Sequence, residues 1–141
     1  MKKRNMILEW DEGAENNCVI WGIVCAAGHL KLVHFLNKTG FFDFSRVDDI
    51  EYCDENNTCN FICYTYNDSN TESYFKLVVN RGNNGIIDKK LKNIDLILSA
   101  NTESNEIIEM AYDLLKENKL IEAVFEIDLT KQNQKSIDII T

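Results

Sequence analysis

The segment CNFICYTYNDSNTESYFKLVVN, residues 59–80, decides the fold of this chain. Two stretches rich in aromatic and β-branched residues, 59–67 and 73–80, flank the polar turn DSNTE. In the first stretch one set of alternating side chains comprises Asn60, Ile62, Tyr64 and Tyr66, and the other comprises Cys59, Phe61, Cys63 and Thr65. Period-two alternation on both sides of a short polar turn predicts an antiparallel hairpin.

Further strand patterns lie on both sides of this hairpin. A strand at 46–53 and the polar turn DENNT extend it to a meander. The runs CVIWGIV (18–24) and IDLILSA (94–100) are apolar throughout, which is typical of strands buried on both faces. We also predict a short strand at MILEW (6–10) and a last strand at 121–128.

Two helices complete the pattern. In AAGHLKLVHFLNKTG (26–40), Leu30, Val33 and Leu36 recur at helical spacing, and Gly40 is a helix stop. SNEIIEMAYDLLKENK (104–119) has an apolar stripe with acidic residues at its start and lysines at its end. We therefore predict an α+β fold in a single domain, 1–141, with a largely antiparallel sheet and two helices packed on one face. Residues 1–5 and 131–141 are predicted to be frayed tails.

Composition restricts the function classes. The formal net charge is −8, which argues against the phosphate backbone of a nucleic acid and against anionic membrane surfaces as main ligands. The apolar run that starts at Met6 stops at Glu9, too short for a secretory signal, and no stretch approaches the length of a membrane span. We expect a cytoplasmic protein whose five cysteines are reduced thiols.

The thiols offer one chemical hypothesis. Cys25 lies at a strand-to-helix junction, where a helix N-terminus can lower a thiol pKa, and His29 and His34 follow it. The alternative is that Cys25 is a small buried hydrophobe and the helix fills a core. Cys59 and Cys63 share a strand face with Cys53 across the turn, so a three-thiolate cluster is a geometric option. No C-x-x-C pair or fourth ligand accompanies it, and we predict no metal and no cofactor.

Two charged segments each allow a functional and a structural interpretation. The acidic run RVDDIEYCDE (46–55) can supply paired carboxylates, but a solvated strand edge explains it as well. RGNNGIIDKKLK (81–92) lacks the patterns of known phosphate loops. Its cations, which could attract an acidic partner or simply be exposed on a hairpin loop, are Arg81, Lys89, Lys90 and Lys92.

Candidate binding residues come from exposed apolar patterns. Leu32 and Phe35 lie off the Leu30/Val33 line of the first helix, so we predict that they face a partner. Tyr64, Tyr66 and Tyr74 lie on neighbouring strands and could form an aromatic binding face, although cross-strand aromatic pairs also stabilise sheets.

The order of segments resembles the IPExxxVDY family, small proteins found in Bacteroidetes. The resemblance covers nearly the whole chain and rests on four segments, IWGIVCAAGHLKLVHFLNKTGFFDFSRVDDIEY, YFKLVVNRGNNGII, LKNIDLIL and AVFEID. The first helix is similar to the family's L-x-W-L-L-N helix, with Asn37 and Lys38 in the matching places.

The naming motif departs from the family pattern. In place of I-P-E stand Asp88, Lys89 and Lys90, and in place of V-D-Y stand Ile94, Asp95 and Leu96. Only Asp95 is retained, so chemistry that depends on the other motif residues is not expected here. The resemblance implies that the motif shapes the loop entering a strand, and it implies no established activity.

These observations lead to two functional hypotheses. The first is a cytoplasmic, non-catalytic interaction or adaptor module with an unknown protein partner, or a homodimer. The second is a thiol-dependent enzyme or redox regulator that uses Cys25 with His29 or His34. The first predicts tolerance of Cys25→Ala, and the second predicts rapid alkylation of Cys25 in the folded protein.

Overall fold

The computed structural model describes residues 18–53 and 55–141. The strands in this part of the chain are β1 (Cys18–Val24), β2 (Ser45–Cys53), β3 (Thr58–Asp68), β4 (Ser73–Val79), β5 (Leu96–Asn101) and β6 (Ala123–Glu126). The helices are α1 (His29–Lys38), α2 (Asn105–Glu117) and α3 (Gln134–Ile140). Short 3₁₀ turns occupy Lys89–Leu91 and Leu129–Lys131. The predicted strand at 6–10 and the predicted tail at 1–5 lie outside the described residues.

The described strands form one six-stranded sheet in the order β2-β3-β4-β5-β1-β6. Every neighbouring pair is antiparallel, and in the decisive hairpin Tyr66 pairs with Phe75 and Asp68 with Ser73. The β2–β3 and β3–β4 connections are short polar turns, which return the chain beside itself, and the longer 80–95 segment joins β4 to its neighbour β5. The predicted α+β fold with a largely antiparallel sheet is confirmed, and the predicted bounds of all six described strands lie within two residues of the observed ones at each end.

One face of the sheet carries α1 and α2, as predicted. Trp21, Phe75 and Leu98 project from the sheet into this layer, where Leu36 of α1 and Leu115 of α2 meet them. All five side chains have at most 2% of their surface exposed. Ser104 caps α2 by accepting a hydrogen bond from the N–H of Ile107, which satisfies one of the free donors of the first turn.

The opposite face is covered by the 80–94 segment and by α3. Ile139 and Ile140 are almost completely buried against side chains such as Ile97 and Val78. The prediction of a frayed tail at 131–141 is therefore wrong for residues 134–140. The local sequence is polar apart from three isoleucines, so the driving force for this helix is the apolar sheet face, which local sequence patterns do not reveal.

Asn80 holds the 80–94 segment in place. Its side chain is fully buried and donates to the carbonyls of Leu91 and Ile94 at 2.9 and 2.8 Å. Its Oδ1 accepts from the N–H of Ile87 at 3.2 Å. These three hydrogen bonds from Asn80 satisfy backbone groups that a regular strand would pair with a neighbouring strand. The 80–94 segment therefore has a defined shape.

Within residues 18–53 and 55–141, no helix is long and apolar enough to cross a membrane.

Candidate functional site

Helix α1 starts at a sharp turn and buries a different stripe from the one that the sequence suggested. Gly28, with φ of 91°, precedes His29, the first helical residue. Leu32 and Leu36 are completely buried, while Leu30 has 70% of its surface exposed. The prediction that Leu32 faces a partner is therefore wrong, because this side chain lies in the core.

Two side chains fix the rotation of α1 that buries Leu32 and exposes Leu30. Asn37 donates to the carbonyl of Phe44 at 3.0 Å and accepts from its N–H at 2.8 Å, so it clamps the segment that leads to β2. His29 Nδ1 lies 2.7 Å from the Tyr64 hydroxyl on β3. With polar anchors at both ends of the helix, the stripe between them is turned towards the sheet and Leu30 is turned outwards.

The outer face of α1 combines apolar and basic side chains. Phe35, predicted to face a partner, is 41% exposed, and Leu30 is the most exposed large apolar residue in the described part of the chain. The Lys38 ammonium lies 5.7 Å from the centroid of the Phe35 ring, and the His34 ring meets Phe35 edge-on at 5.5 Å. The sequence of α1 contains two lysines, two histidines and no carboxylate.

Helix α2, on the same face of the sheet, has the opposite charge. It carries four carboxylate residues and one lysine, namely Glu106, Glu109, Asp113, Glu117 and Lys116. Two of its exposed residues are also large and apolar, Met110 at 45% and Tyr112 at 37%. In a chain with a net charge of −8, the outer face of α1 is thus a local exception.

His29 and Tyr64 form a polar contact beneath the start of α1. Burial and the nearby Arg46 guanidinium lower the pKa of His29. Burial raises the pKa of Tyr64, against an opposing effect of Arg46, which faces Tyr64 across the β2–β3 pair. Both directions favour a neutral imidazole hydrogen-bonded to a neutral phenol, which links the helix to the sheet.

The three tyrosines do not form a single binding face. Tyr64 is 4% exposed, and Tyr66 is half-buried with its ring stacked on Phe75 at 5.9 Å. Tyr74 is 39% exposed but pairs with Asn67, so it projects from the opposite side of the sheet. The predicted tyrosine face is therefore wrong, since Tyr64 and Tyr66 pack beneath α1 and Tyr74 is separated from them.

Cys25 follows β1 directly and is 2% exposed. Burial raises the pKa of its thiol, and the nearby Asp95 and Glu122 carboxylates raise it further. The N–H groups of Ala27 and Gly28 act in the opposite direction, which is the helix-start effect that the thiol hypothesis invoked. Their effect is outweighed, so this environment disfavours the thiolate that a nucleophile needs.

Neither histidine is placed as a base for the Cys25 thiol. His29 is hydrogen-bonded to Tyr64, and His34 lies on the outer face of α1 against Phe35. The structure thus brings His29 to Tyr64, a contact that sequence reasoning missed because the two residues are 35 positions apart. A tyrosine at a hydrogen-bonding distance from a helix start leaves no local sequence signal.

The three-thiolate cluster that the cysteine spacing allowed does not form. Cys53 pairs with Thr58 and therefore shares its face, whereas Cys59 and Cys63 point to the other side of the sheet. Among residues 18–53 and 55–141, no group of three or more His, Cys, Asp or Glu side chains is placed to hold a metal ion.

The acidic run lies along the edge strand β2, as its solvated-edge interpretation expects. Asp48, Asp49 and Glu51 are exposed, and the pairing with β3 is irregular between Val47 and Ile50. Asp49 forms an ion pair with Arg46 at 3.1 Å, and Asp54 lies outside the described residues. Charge and a bulge together protect an open strand edge from pairing with other chains.

Asp95, the position that the family resemblance singled out, holds backbone next to β1. Its Oδ2 accepts from the N–H of Cys25 at 2.8 Å, and its own N–H donates to the carbonyl of Ile23 at 2.9 Å. It therefore fixes the turn that leads into α1.

No family model matches this chain, and no curated protein matches it.

Proposed function

We propose that this chain is a non-catalytic, cytoplasmic protein-interaction module that binds an acidic segment of a partner protein through the outer face of α1. The observation that carries the proposal is the exposure of Leu30 and Phe35 among Lys31, His34 and Lys38, with no carboxylate on the helix. Apolar anchors rimmed by cations match a partner helix or strand that has apolar residues among acidic ones. Membership of the IPExxxVDY family stays a prediction that rests on the segments quoted above.

The burial of Cys25 supports this proposal over the thiol alternative. A nucleophilic thiol needs access and a lowered pKa, and this thiol has 2% exposure and a raised pKa. Leu30 and Phe35 of α1, by contrast, are exposed and belong to neither buried cluster of the core.

The test compares how much partner protein the unmodified chain and its variants capture from native lysate. Light scattering of the purified complex then gives its stoichiometry. Leu30→Asp and Phe35→Glu should each weaken capture of a stoichiometric partner by at least about tenfold, because both remove an apolar anchor. Leu30→Asp also suits the first turn of a helix, so it should not unfold the protein. Met110→Glu, at a similarly exposed position of α2, and Cys25→Ala should leave capture unchanged.

Two results would contradict the proposal. One is a partner that remains bound to the Leu30→Asp variant. The other is a homodimer without a different partner protein. In this dimer the acidic face of α2 in one copy would bind the outer face of α1 in the other copy. Light scattering distinguishes this second case, because dimerisation would then be weakened by Met110→Glu as well as by Leu30→Asp.

A further inference from the structure

A basic groove lies on the other side of the sheet, between the 80–90 loop and the C-terminal helix. Its volume is about 680 Å³, within the range of small-molecule sites. Four cationic side chains line it, Arg81, Lys89 and Lys90 from the loop and Lys135 from α3. Sequence reasoning grouped the first three with Lys92, but α3 was not predicted, so Lys135 was missed.

The single carboxylate in the lining, that of Asp88, offsets only one of these four positive charges. Asp88 is 6% exposed, and both of its oxygens are occupied. Oδ1 accepts from the N–H of Lys90 at 2.9 Å, and Oδ2 accepts from the Ser136 hydroxyl at 3.1 Å. Among the described residues, none of the four cations forms an ion pair with a carboxylate, so the groove retains a net positive charge.

The loop that carries three of these cations has a fixed shape. Its start is held by Asn80, and Asn84 donates to the carbonyl of Thr58 at 2.7 Å. Gly82 packs directly on β3, since a Cβ at this position would lie 2.5 Å from the Asn60 oxygen and from Cys59 Sγ. A rigid loop lowers the ordering cost of binding, which is the advantage of a preorganised site.

Contacts within the walls restrain two of the cations. Arg81 Nη2 donates to the carbonyl of Lys92 at 3.2 Å. The Lys135 ammonium lies 5.4 Å from the centroid of the Tyr52 ring, a contact that keeps this charge beside the sheet. Lys89 and Lys90, both exposed, complete the basic lining.

We propose that this groove binds a small phosphate-bearing anion. An arginine fork and lysine ammonium groups are the side chains that recognise phosphate oxygens, and the Asn133 amide adds a neutral donor in the lining. A long polyanion is a poorer match, because the chain as a whole carries a net charge of −8 and would repel the parts that extend beyond the groove.

The test is isothermal titration calorimetry with inorganic pyrophosphate at fixed ionic strength. The Lys89→Ala/Lys90→Ala variant should bind pyrophosphate at least about tenfold more weakly than the unmodified chain. Lys135→Ala, in the opposite wall, should also weaken binding. Lys116→Ala/Lys119→Ala removes the same charge from exposed positions at and just beyond the end of α2 and should leave the dissociation constant unchanged. Circular dichroism of each variant verifies that the fold is retained.

A second titration, with a sugar phosphate, identifies the source of the phosphate. Tighter binding than with pyrophosphate would assign the groove to phosphate monoesters, and weaker binding would assign it to free inorganic anions. Absence of saturable binding for both probes would overturn the proposal, as would equal loss of affinity in the groove variant and the Lys116→Ala/Lys119→Ala variant. Preferred binding of a short single-stranded RNA would also overturn it, because the ligand would then be a macromolecule.

Discussion

At the scale of single residues, the pKa of the Cys25 thiol is set more by its surroundings than by its position before a helix. A cysteine just before a helix receives backbone N–H groups that stabilise its thiolate. Here Asp95 and Glu122 bind neighbouring N–H groups, at Cys25 and Ala26, and so bring negative charge beside the sulfur. Together with burial, these carboxylates keep the thiol protonated.

This environment predicts slow alkylation of Cys25. At neutral pH iodoacetamide should label Cys53, which is exposed, well before Cys25, which should react only after unfolding in urea. Mass spectrometry of timed samples measures both sites in one experiment, and Cys53→Ser should abolish the fast phase. Labelling of Cys25 as fast as that of Cys53 would instead revive the thiol-dependent hypothesis.

At the scale of secondary-structure elements, α1 has two competing apolar stripes. Leu30, Val33 and Leu36 fit one helical line, and Leu32, Val33 and Leu36 fit another. The two stripes share two of three members, so the local pattern does not distinguish them. The clamp from Asn37 to Phe44 and the contact of His29 with Tyr64 select the second stripe, and both partners follow α1 in the chain, Phe44 just before β2 and Tyr64 on β3.

Helix α3 differs from α1 because its local sequence has too little apolar pattern to predict a helix. It is a short element that depends on its neighbours. A seven-residue helix is unstable in isolation, because nucleation costs more than its few hydrogen bonds return. Asn133 caps it by accepting from the N–H of Ser136 at 2.8 Å. Ile139 and Ile140 supply the buried surface that holds it on the sheet.

We therefore predict a large stability loss when α3 loses a core side chain. Ile139→Ala should lower the free energy of unfolding by about 2–5 kcal/mol, as for other fully buried aliphatic residues. Urea denaturation followed by circular dichroism measures this value. Asp138→Ala, one position away and exposed, should change it by less than about 0.5 kcal/mol. Similar small effects for both variants would show that the helix contributes little to the core.

At the scale of the whole molecule, charge is distributed unevenly over a sheet that is covered on both faces. The chain has 23 acidic and 15 basic residues, with carboxylates along β2 and α2. Basic residues concentrate on α1 and around the groove beside α3. The ion pair that the described residues form, Arg46–Asp49, is exposed and contributes little to stability.

This distribution predicts that salt stabilises the protein. Raising NaCl from about 0.02 to about 0.5 M shortens the screening length severalfold, so repulsion among the excess carboxylates should weaken and the urea midpoint should rise. A variant with two exposed charges of β2 removed, Asp48→Asn/Glu51→Gln, should show a smaller rise. A midpoint that falls with salt would indicate that attractive pairs dominate instead.

The sequence by itself determined the fold class and the position of most elements. Alternation in residues 59–80, the apolar runs at 18–24 and 94–100, and the helical stripe at 104–119 are local signals, because each element must present an apolar side to the core. The solvated acidic edge of β2 followed from the same reasoning. These features need only neighbours within one element.

The tertiary structure decided which residues lie together on a surface. The direction of Leu30 and Leu32, the separation of Tyr74 from Tyr64, and the meeting of Lys135 with Lys89 all depend on packing between distant segments. Residues 89 and 135 are brought together because α3 buries two isoleucines on a sheet face that strands from the rest of the chain have built. Local periodicity does not predict such a contact, because the free energy of burying the isoleucines is gained only once the sheet has formed.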